Sequence, residues 1–377
     1  MRSFSSITWH VDSEARRSSV KAVNTFLCSS RLALKQPRPP AIVHVLMGNE
    51  AADADSIVSS LTYAFMHAQQ HSDTLHVPVL PITRAELTLR CDVAALFEAL
   101  DVDTDALVFV DEFPWDIKAK VKVTLMDHNA FSNKKIPPVD GMKVIEIVDH
   151  HSDLGQHLGA EKREVAFADG NALVASTCTL VAERLEKVAH HDAHKLLSTM
   201  LLGVIALDSI NFDPSAKKVT PRDVNAAQKL EKVAFAKKEE LFKWLEAQKF
   251  NSAHWKAFTL ENCLQVDYKE FTFAKKVGIS VVLVDLETLV LKSKDAAALR
   301  KRLSTYCKLN VLAFVVVVAM FMTPDGQEGS LLLNPLQLPE THRHEHAAAF
   351  NQLNVGASRK QIAPLIQRAL AEPVVKL

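Results

Sequence analysis

The stretch "KVIEIVDHH" (residues 143–151) decides how this chain is read. It is a short apolar run that ends in an acid and two adjacent imidazoles. Successive side chains on a strand point to opposite faces, so His150 and His151 diverge if the strand continues. Both rings face one pocket only where the strand stops and the backbone turns. Open α/β sheets keep their chemistry at the ends of strands, and other apolar runs here end in a similar way. "AIVHVLMG" (41–48) leads into "GNEAADADS" (48–56), with Asp53 and Asp55 just before a helix expected from about Ser56. "ALVFVDE" (106–112) reaches Asp111, "VKVTLMDHN" (121–129) reaches Asp127, and "LLGVIALDSINF" (201–212) places Asp208 after an apolar run.

Between these runs the pattern is helical. Ile57, Leu61, Phe65 and Ala68 recur at helical spacing, and further helices are expected over about 12–34, 173–188 and 193–205. Such alternation predicts an α/β domain over residues 1–213, a mostly parallel sheet with helices on both faces. "DPSAKKVTP" (213–221) is a polar break. Thr220 as N-cap, Pro221 at the first helical position and Asp223 in the first turn then begin a helix. Residues 214–235 read as a helical linker, and 236–377 as a second, smaller α/β domain with strands in "VGISVVLVDL" (277–286) and "VLAFVVVVAMFM" (311–322).

Composition narrows the function classes. The 377 residues carry 44 basic and 44 acidic side chains, so no global field marks a partner among nucleic acids or membrane surfaces. An anionic ligand needs a local basic patch instead. The five cysteines lack CxxC spacing, which suggests a reducing compartment and no thiolate metal site. The valine-rich run is too short to span a bilayer, which takes roughly 20 residues. Arg2, Arg16 and Arg17 give the N-terminus a faint likeness to a transit peptide, although residues 12–34 read better as an amphipathic helix of the folded domain.

Taken singly, each acidic run end has an ordinary explanation as a helix cap or a loop residue. Taken together they crowd anions into one region, which is costly unless cations sit among them. Oxygen and imidazole donors without cysteine suit Mg²⁺, Mn²⁺ or Co²⁺. Two such ions roughly 3.5–4 Å apart, sharing a carboxylate, form an arrangement that hydrolyses phosphate esters and anhydrides.

With "GNEAADADS", "DHN" (127–129), "DHH" (149–151) and "ALDS" (206–209) in this order, the chain resembles the DHH phosphoesterase superfamily. "DYKEF" (267–271) and "SRK" (358–360) resemble substrate-gripping elements of the DHHA2 second domain found in one branch of it. That branch holds family II inorganic pyrophosphatases, eukaryotic exopolyphosphatases and prune-type phosphodiesterases. The resemblance implies two divalent ions, Mg²⁺ or Mn²⁺ with Co²⁺ workable. Asp53 is implied as a ligand of the first, Asp55, His150 and Asp208 of the second, and Asp127 as the bridge. Asp127, His150 and His151 are the implied catalytic residues, with His151 also touching phosphate. Lys269, Arg359 and Lys360 are implied to grip the phosphate chain. Arg343, in "THRHEH" (341–346), is a candidate extension of that patch. Asp149 is expected to orient His150, and Asp111 to lie near the site.

One departure separates the relatives. Family II pyrophosphatases carry histidine directly after the glycine of the first motif, where this chain has Asn49. An amide oxygen at that metal position binds Mn²⁺ or Co²⁺ more weakly than imidazole does and makes Mg²⁺ workable. "GNE" with an intact DHH resembles eukaryotic exopolyphosphatases; prune-type proteins typically replace the last histidine. The expectation is therefore an exopolyphosphatase acting on linear inorganic polyphosphate, with pyrophosphatase and nucleotide phosphodiesterase as alternatives. It is expected to be a monomer in the cytoplasm, with no nucleic acid or membrane partner. A mitochondrion or polyphosphate-storing vacuole is the alternative location.

Overall fold

The structure is a computed structural model that describes residues 7–37, 40–131, 135–137, 139–186, 192–322, 328–335, 347–351 and 359–371. The chain divides into two compact units, Met1–Lys249 and Phe250–Leu377.

The first unit is built on strands β1 (Ile42–Met47), β2 (Leu75–Leu80), β3 (Val108–Phe109), β4 (Lys120–Met126), β5 (Lys143–Asp149) and β6 (Lys162–Val165). They form one parallel sheet in the order β3-β2-β1-β4-β5-β6. The order reverses between β1 and β4, so the loops leaving those two strands diverge and open a crevice at the sheet edge. A short ribbon pairs β7 (Phe167–Ala168) with β8 (Asn171–Ala172). The helices are α1 (Ser13–Leu34), α2 (Ala54–Gln70), α3 (Cys91–Ala99), α4 (Thr177–Leu185), α5 (His194–Asp208), α6 (Pro221–Leu230) and α7 (Lys238–Lys249).

Strand alternation sorts the core into two layers. Leu46, Leu80, Phe109, Met126 and Val148 pack against residues of α2, α4, α5 and α7. Val43, Val45, Val77, Val123 and Ile147 face the other way, onto Leu34 at the end of α1 and onto Phe113, Trp115 and Ile136 from connecting segments.

Two local readings change. The run at 106–112 is a strand only over Val108–Phe109, because the chain then turns, with Phe113 N–H bonded back to the Phe109 carbonyl (3.0 Å). Asp111 is accordingly exposed on a turn beyond the edge strand, two strands away from β1. The helix expected over 193–205 is α5, which continues through the apolar run to end at Asp208. Strand β2 was not among the expected elements. Pro78 disguises its run, and β3, pairing only with Val79 and Leu80, gives that residue no ladder partner on its side.

The second unit contains α8 (Ser252–Ala257), α9 (Leu260–Val266), β9 (Asp267–Thr272), β10 (Lys276–Val282), α10 (Leu286–Lys292), α11 (Ala296–Leu309), β11 (Phe314–Met322), β12 (Glu328–Pro335), β13 (Ala347–Asn351) and α12 (Arg359–Ala371). Its sheet runs β13-β12-β11-β10-β9, and only β10 and β11 pair in parallel. Val277, Ile279, Val316 and Val318 pack on Ile362 and Ala363 of α12. Val282, Val315 and Val317 pack on Leu264, Leu289 and Leu303 from the other helices. The valine-rich run is thus a buried strand, and no helix among the described residues is long and apolar enough to cross a membrane.

The polar break resolves into a turn followed by α6, which begins with a capping box between Thr220 and Asp223. Asp223 is fully buried. It accepts from Thr220 N–H and Oγ1 (both 2.8 Å), from Ala175 N–H (3.0 Å) and from Thr179 Oγ1 (2.6 Å). One carboxylate therefore ties the start of α6 to the start of α4. Asp223→Ala strands these donors and should lower the unfolding free energy in urea by about 2–3 kcal/mol. A loss below about 1 kcal/mol would mean that the donors find other acceptors.

Candidate metal centre at the edge of the parallel sheet

The site begins where β1 ends. A Cβ on Gly48 would lie 2.6 Å from Ser56 Cβ and 2.8 Å from the Ser56 carbonyl oxygen, so only glycine lets the strand end against the first turn of α2. Asp53 caps α2, accepting from Ser56 N–H at 3.0 Å, and Asp55 follows within that first turn. Asp127 comes directly after β4 with φ at 62°, a left-handed conformation uncommon outside glycine, which turns the chain off the strand. Its N–H still bonds the Val148 carbonyl at 2.9 Å.

Asp127 is the buried centre of the site. Its Oδ2 accepts from Asn49 Nδ2 (2.6 Å) and Ser56 Oγ (2.8 Å). Its Oδ1 accepts from Thr177 Oγ1 at 3.3 Å and lies 3.3 Å from His150 Nε2 and 3.5 Å from His151 Nδ1. Asp55 is bound by another helix's start: it accepts from Ser176 Oγ (2.7 Å), Thr177 N–H (2.7 Å) and Cys178 N–H (2.8 Å) at the head of α4. Unsatisfied N–H groups at a helix N-terminus favour an anion.

The two histidines are held by different partners. His150 Nδ1 donates to the Val174 carbonyl at 3.0 Å, which directs Nε2 toward Asp127 and toward Asp55, 3.7 Å away. His151 Nδ1 donates to Asp149 Oδ1 at 2.8 Å. Asp149 also accepts from the N–H groups of His150 (2.7 Å) and His151 (3.1 Å) and from Asn129 Nδ2 (2.5 Å). Asp149 therefore orients the His151 ring. The expectation that it serves the His150 ring is corrected, because that ring is fixed by a backbone carbonyl 24 residues further along the chain.

Electrostatics show what this cluster lacks. Burial, then the neighbouring Asp127 and Asp208 carboxylates, push Asp55 well above the ordinary carboxylate range. Burial raises Asp208 to about 6, partly offset by Lys249. Asp149 moves the other way. Its burial is outweighed by the hydrogen bond and charge of His151, and its carboxyl is held below the usual value. Asp208 Oδ2 is buried with no hydrogen-bond partner. A buried orphaned carboxylate oxygen beside other anions fits a divalent cation, and the donor set is oxygen and imidazole throughout. The ligand atoms of Asp127, His150 and His151 all lie within 4.8 Å of one another.

The structure thus gathers Asn49, Asp53, Asp55, Asp127, His150, His151 and Asp208 around one edge of the first unit. Asn49 turns its amide nitrogen to Asp127, while its oxygen accepts from Ala51 N–H at 2.9 Å. In this arrangement it aims the central carboxylate. Lys269 lies on β9 of the second unit, opposite Ile279 of β10. Arg359 and Lys360 open α12, their side chains lie outside the described residues, and so does Arg343 with the rest of the histidine-rich segment. Sequence reading missed Ser56, Ser176, Thr177 and Asn129. Ser176 before a helix looks like a simple N-cap, and nothing local reveals that it also serves a carboxylate more than a hundred residues away.

Comparison with known proteins agrees with this architecture. The family model of the DHH family, N-terminal domain, matches residues 44–207, and that of the DHHA2 domain matches residues 245–369. Exopolyphosphatase PRUNE1 of Homo sapiens is 29% identical over 92% of this chain and 79% of its own length. A Schizosaccharomyces pombe protein provisionally named an exopolyphosphatase is 26% identical over 87% of this chain and 91% of its own. Among solved structures, one from Methanococcus jannaschii, provisionally described as a family II inorganic pyrophosphatase, superposes with a TM-score of 0.57 and 22% identity, covering 87% of this chain and 99% of that one.

Ser176→Ala removes one of the three donors that hold Asp55. Isothermal titration with Mn²⁺ should show affinity at this edge weakened about 10–100-fold. An unchanged affinity would mean that the two backbone N–H groups suffice to position the carboxylate.

Proposed function

Because the chain matches the family models of the DHH family, N-terminal domain, and of the DHHA2 domain, we propose that it is a metal-dependent phosphohydrolase whose substrate is linear inorganic polyphosphate, cut at the terminal phosphoanhydride to release orthophosphate. The observation that carries this reading is the buried Asp127 carboxylate, ringed by Asp53, Asp55, His150 and Asp208 and aimed by Asn49. The names of the relatives from Homo sapiens and Schizosaccharomyces pombe support the choice of substrate. The first of those names joins two groups, exopolyphosphatase and prune, that the sequence reading had kept apart.

Asp53, Asp55, Asp127, His150 and Asp208 are the residues we assign to two divalent ions, Mg²⁺ or Mn²⁺. Such ions, when bound, lower the pKa of water and neutralise the charge that builds on phosphate oxygens. The chain supplies the geometry. The head of α4 holds Asp55 in place through three hydrogen bonds, and the Val174 carbonyl keeps the His150 tautomer with its lone pair on Nε2. His151, braced by Asp149, is positioned to donate a proton or a hydrogen bond to a phosphate oxygen. Since the chain has no net charge, a polyanion must be gripped locally, and we assign that task to Lys269, Arg343, Arg359 and Lys360.

Asn49 is the residue we hold responsible for divergence from pyrophosphatases. An amide there orients Asp127 and leaves the first ion one strong ligand short. Asn49→His should therefore reduce the Mn²⁺ concentration needed for half-maximal activity by about tenfold. No change would remove Asn49 from the account of metal preference.

The decisive assay is phosphate release with Mg²⁺ from pyrophosphate, tripolyphosphate and long-chain polyphosphate in parallel, with Asp127→Ala beside the wild type. Release from tripolyphosphate and longer chains with little from pyrophosphate is expected, and Asp127→Ala should lower turnover by about a thousandfold or more. Pyrophosphate as the best substrate would overturn the substrate assignment. A variant retaining about a tenth of the wild-type rate would overturn the role of Asp127.

A further inference from the structure

We propose that His44, His67 and His76 form a second metal site, of zinc type, at the opposite end of α2 from the carboxylate cluster. His44 and His76 are cross-strand partners in β1 and β2, and His67 lies in the last turn of α2. One ligand nitrogen from each lies within 4.8 Å of the others. His44 and His76 are only 4% and 3% exposed, so this is an interior cluster rather than a surface coincidence. Twelve residues of helix separate Asp55 from His67, about 18 Å of rise, so the ions of the catalytic edge cannot serve it.

The surroundings are those of a ligand set. His44 Nε2 bonds Thr124 Oγ1 at 2.7 Å, which fixes the ring and leaves Nδ1 to ligate. His76 Nδ1 is buried without a hydrogen-bond partner, a cost that a metal bond removes. Burial, then repulsion from neighbouring imidazoles including His71, lowers His44 to about 3 and His67 and His76 to about 4, so all three imidazoles are neutral and carry a lone pair at physiological pH. Glu146 places Oε2 3.7 Å from His67 Nε2 and is itself held by Tyr63 Oη at 2.9 Å, which sets an anion beside the site.

Three imidazoles select differently from the carboxylates at the other end of the helix. They suit Zn²⁺, Co²⁺, Ni²⁺ or Cu²⁺ and discriminate against Mg²⁺. A tetrahedral ion needs a fourth ligand, which water or His71 supplies; the His71 ring lies 5.9 Å from that of His67 and 6.1 Å from that of His76. An ion held here would fasten β1, β2 and the end of α2 together.

The test is zinc X-ray absorption on the wild-type protein, stripped with chelator, saturated with Mg²⁺ and given one equivalent of Zn²⁺. Scattering from three or four imidazoles at about 2.0–2.1 Å is expected. The catalytic edge offers at most two imidazoles, His150 and His151, among carboxylates. An oxygen-rich shell with one or two imidazoles, or no retained zinc, would overturn the proposal. His67→Gln, at the helix end, should lose the multi-imidazole shell while far-UV circular dichroism and the Mg²⁺-dependent phosphate release persist. An unchanged shell in that variant would equally refute the ligand set.

Discussion

The first unit is organised by one electrostatic demand: keeping the carboxylates of Asp55 and Asp127 buried side by side. Two anions in a low-dielectric interior repel and are poorly solvated, so each oxygen needs a donor or a cation. The protein meets most of that demand with its own groups. Asn49, Ser56 and Thr177 serve Asp127, and the head of α4 serves Asp55. Asp208 is the exception. It ends α5, where the helix dipole is unfavourable to an anion, and one of its oxygens has no hydrogen-bond partner. The arrangement is complete only with positive charge among these groups, which is the chemical meaning of the site.

That demand explains features that otherwise look unrelated. Gly48 is needed because Ser56 must approach closely enough to donate to Asp127. Asp127 accepts a left-handed backbone because the chain must leave β4 at once and still return its N–H to Val148. Asp223, not itself among the assigned ligands, pins Ala175 and Thr179 on either side of the turn that presents Ser176 and Thr177 to the carboxylates. The same turn offers the Val174 carbonyl to His150. Stability and function are coupled here because one short segment serves both.

Much of this was legible beforehand, for identifiable reasons. Helix α1 follows Asp12 because an acid before an amphipathic run caps it, and α6 follows Thr220, Pro221 and Asp223 for the same kind of local reason. Strands β1, β4 and β5 are short, apolar and end in polar residues, so period and punctuation identified them. The failures were equally local. Pro78 hid β2, and the turn after Phe109 cut short a convincing run.

The sequence by itself determined the element types, the order of the acidic motifs and the donor chemistry, because composition, spacing and capping act over a few residues. Tertiary structure alone decided which groups meet. The reversal of strand order between β1 and β4 brings Asn49 to Asp127, and long-range packing puts the head of α4 under Asp55. It also decided that Asp149 braces His151 while a backbone carbonyl braces His150, and that His44, His67 and His76 converge at all. Such pairings join positions far apart in the chain, and their geometry is set by the folded sheet and the helices packed on it, not by any local preference of the residues themselves.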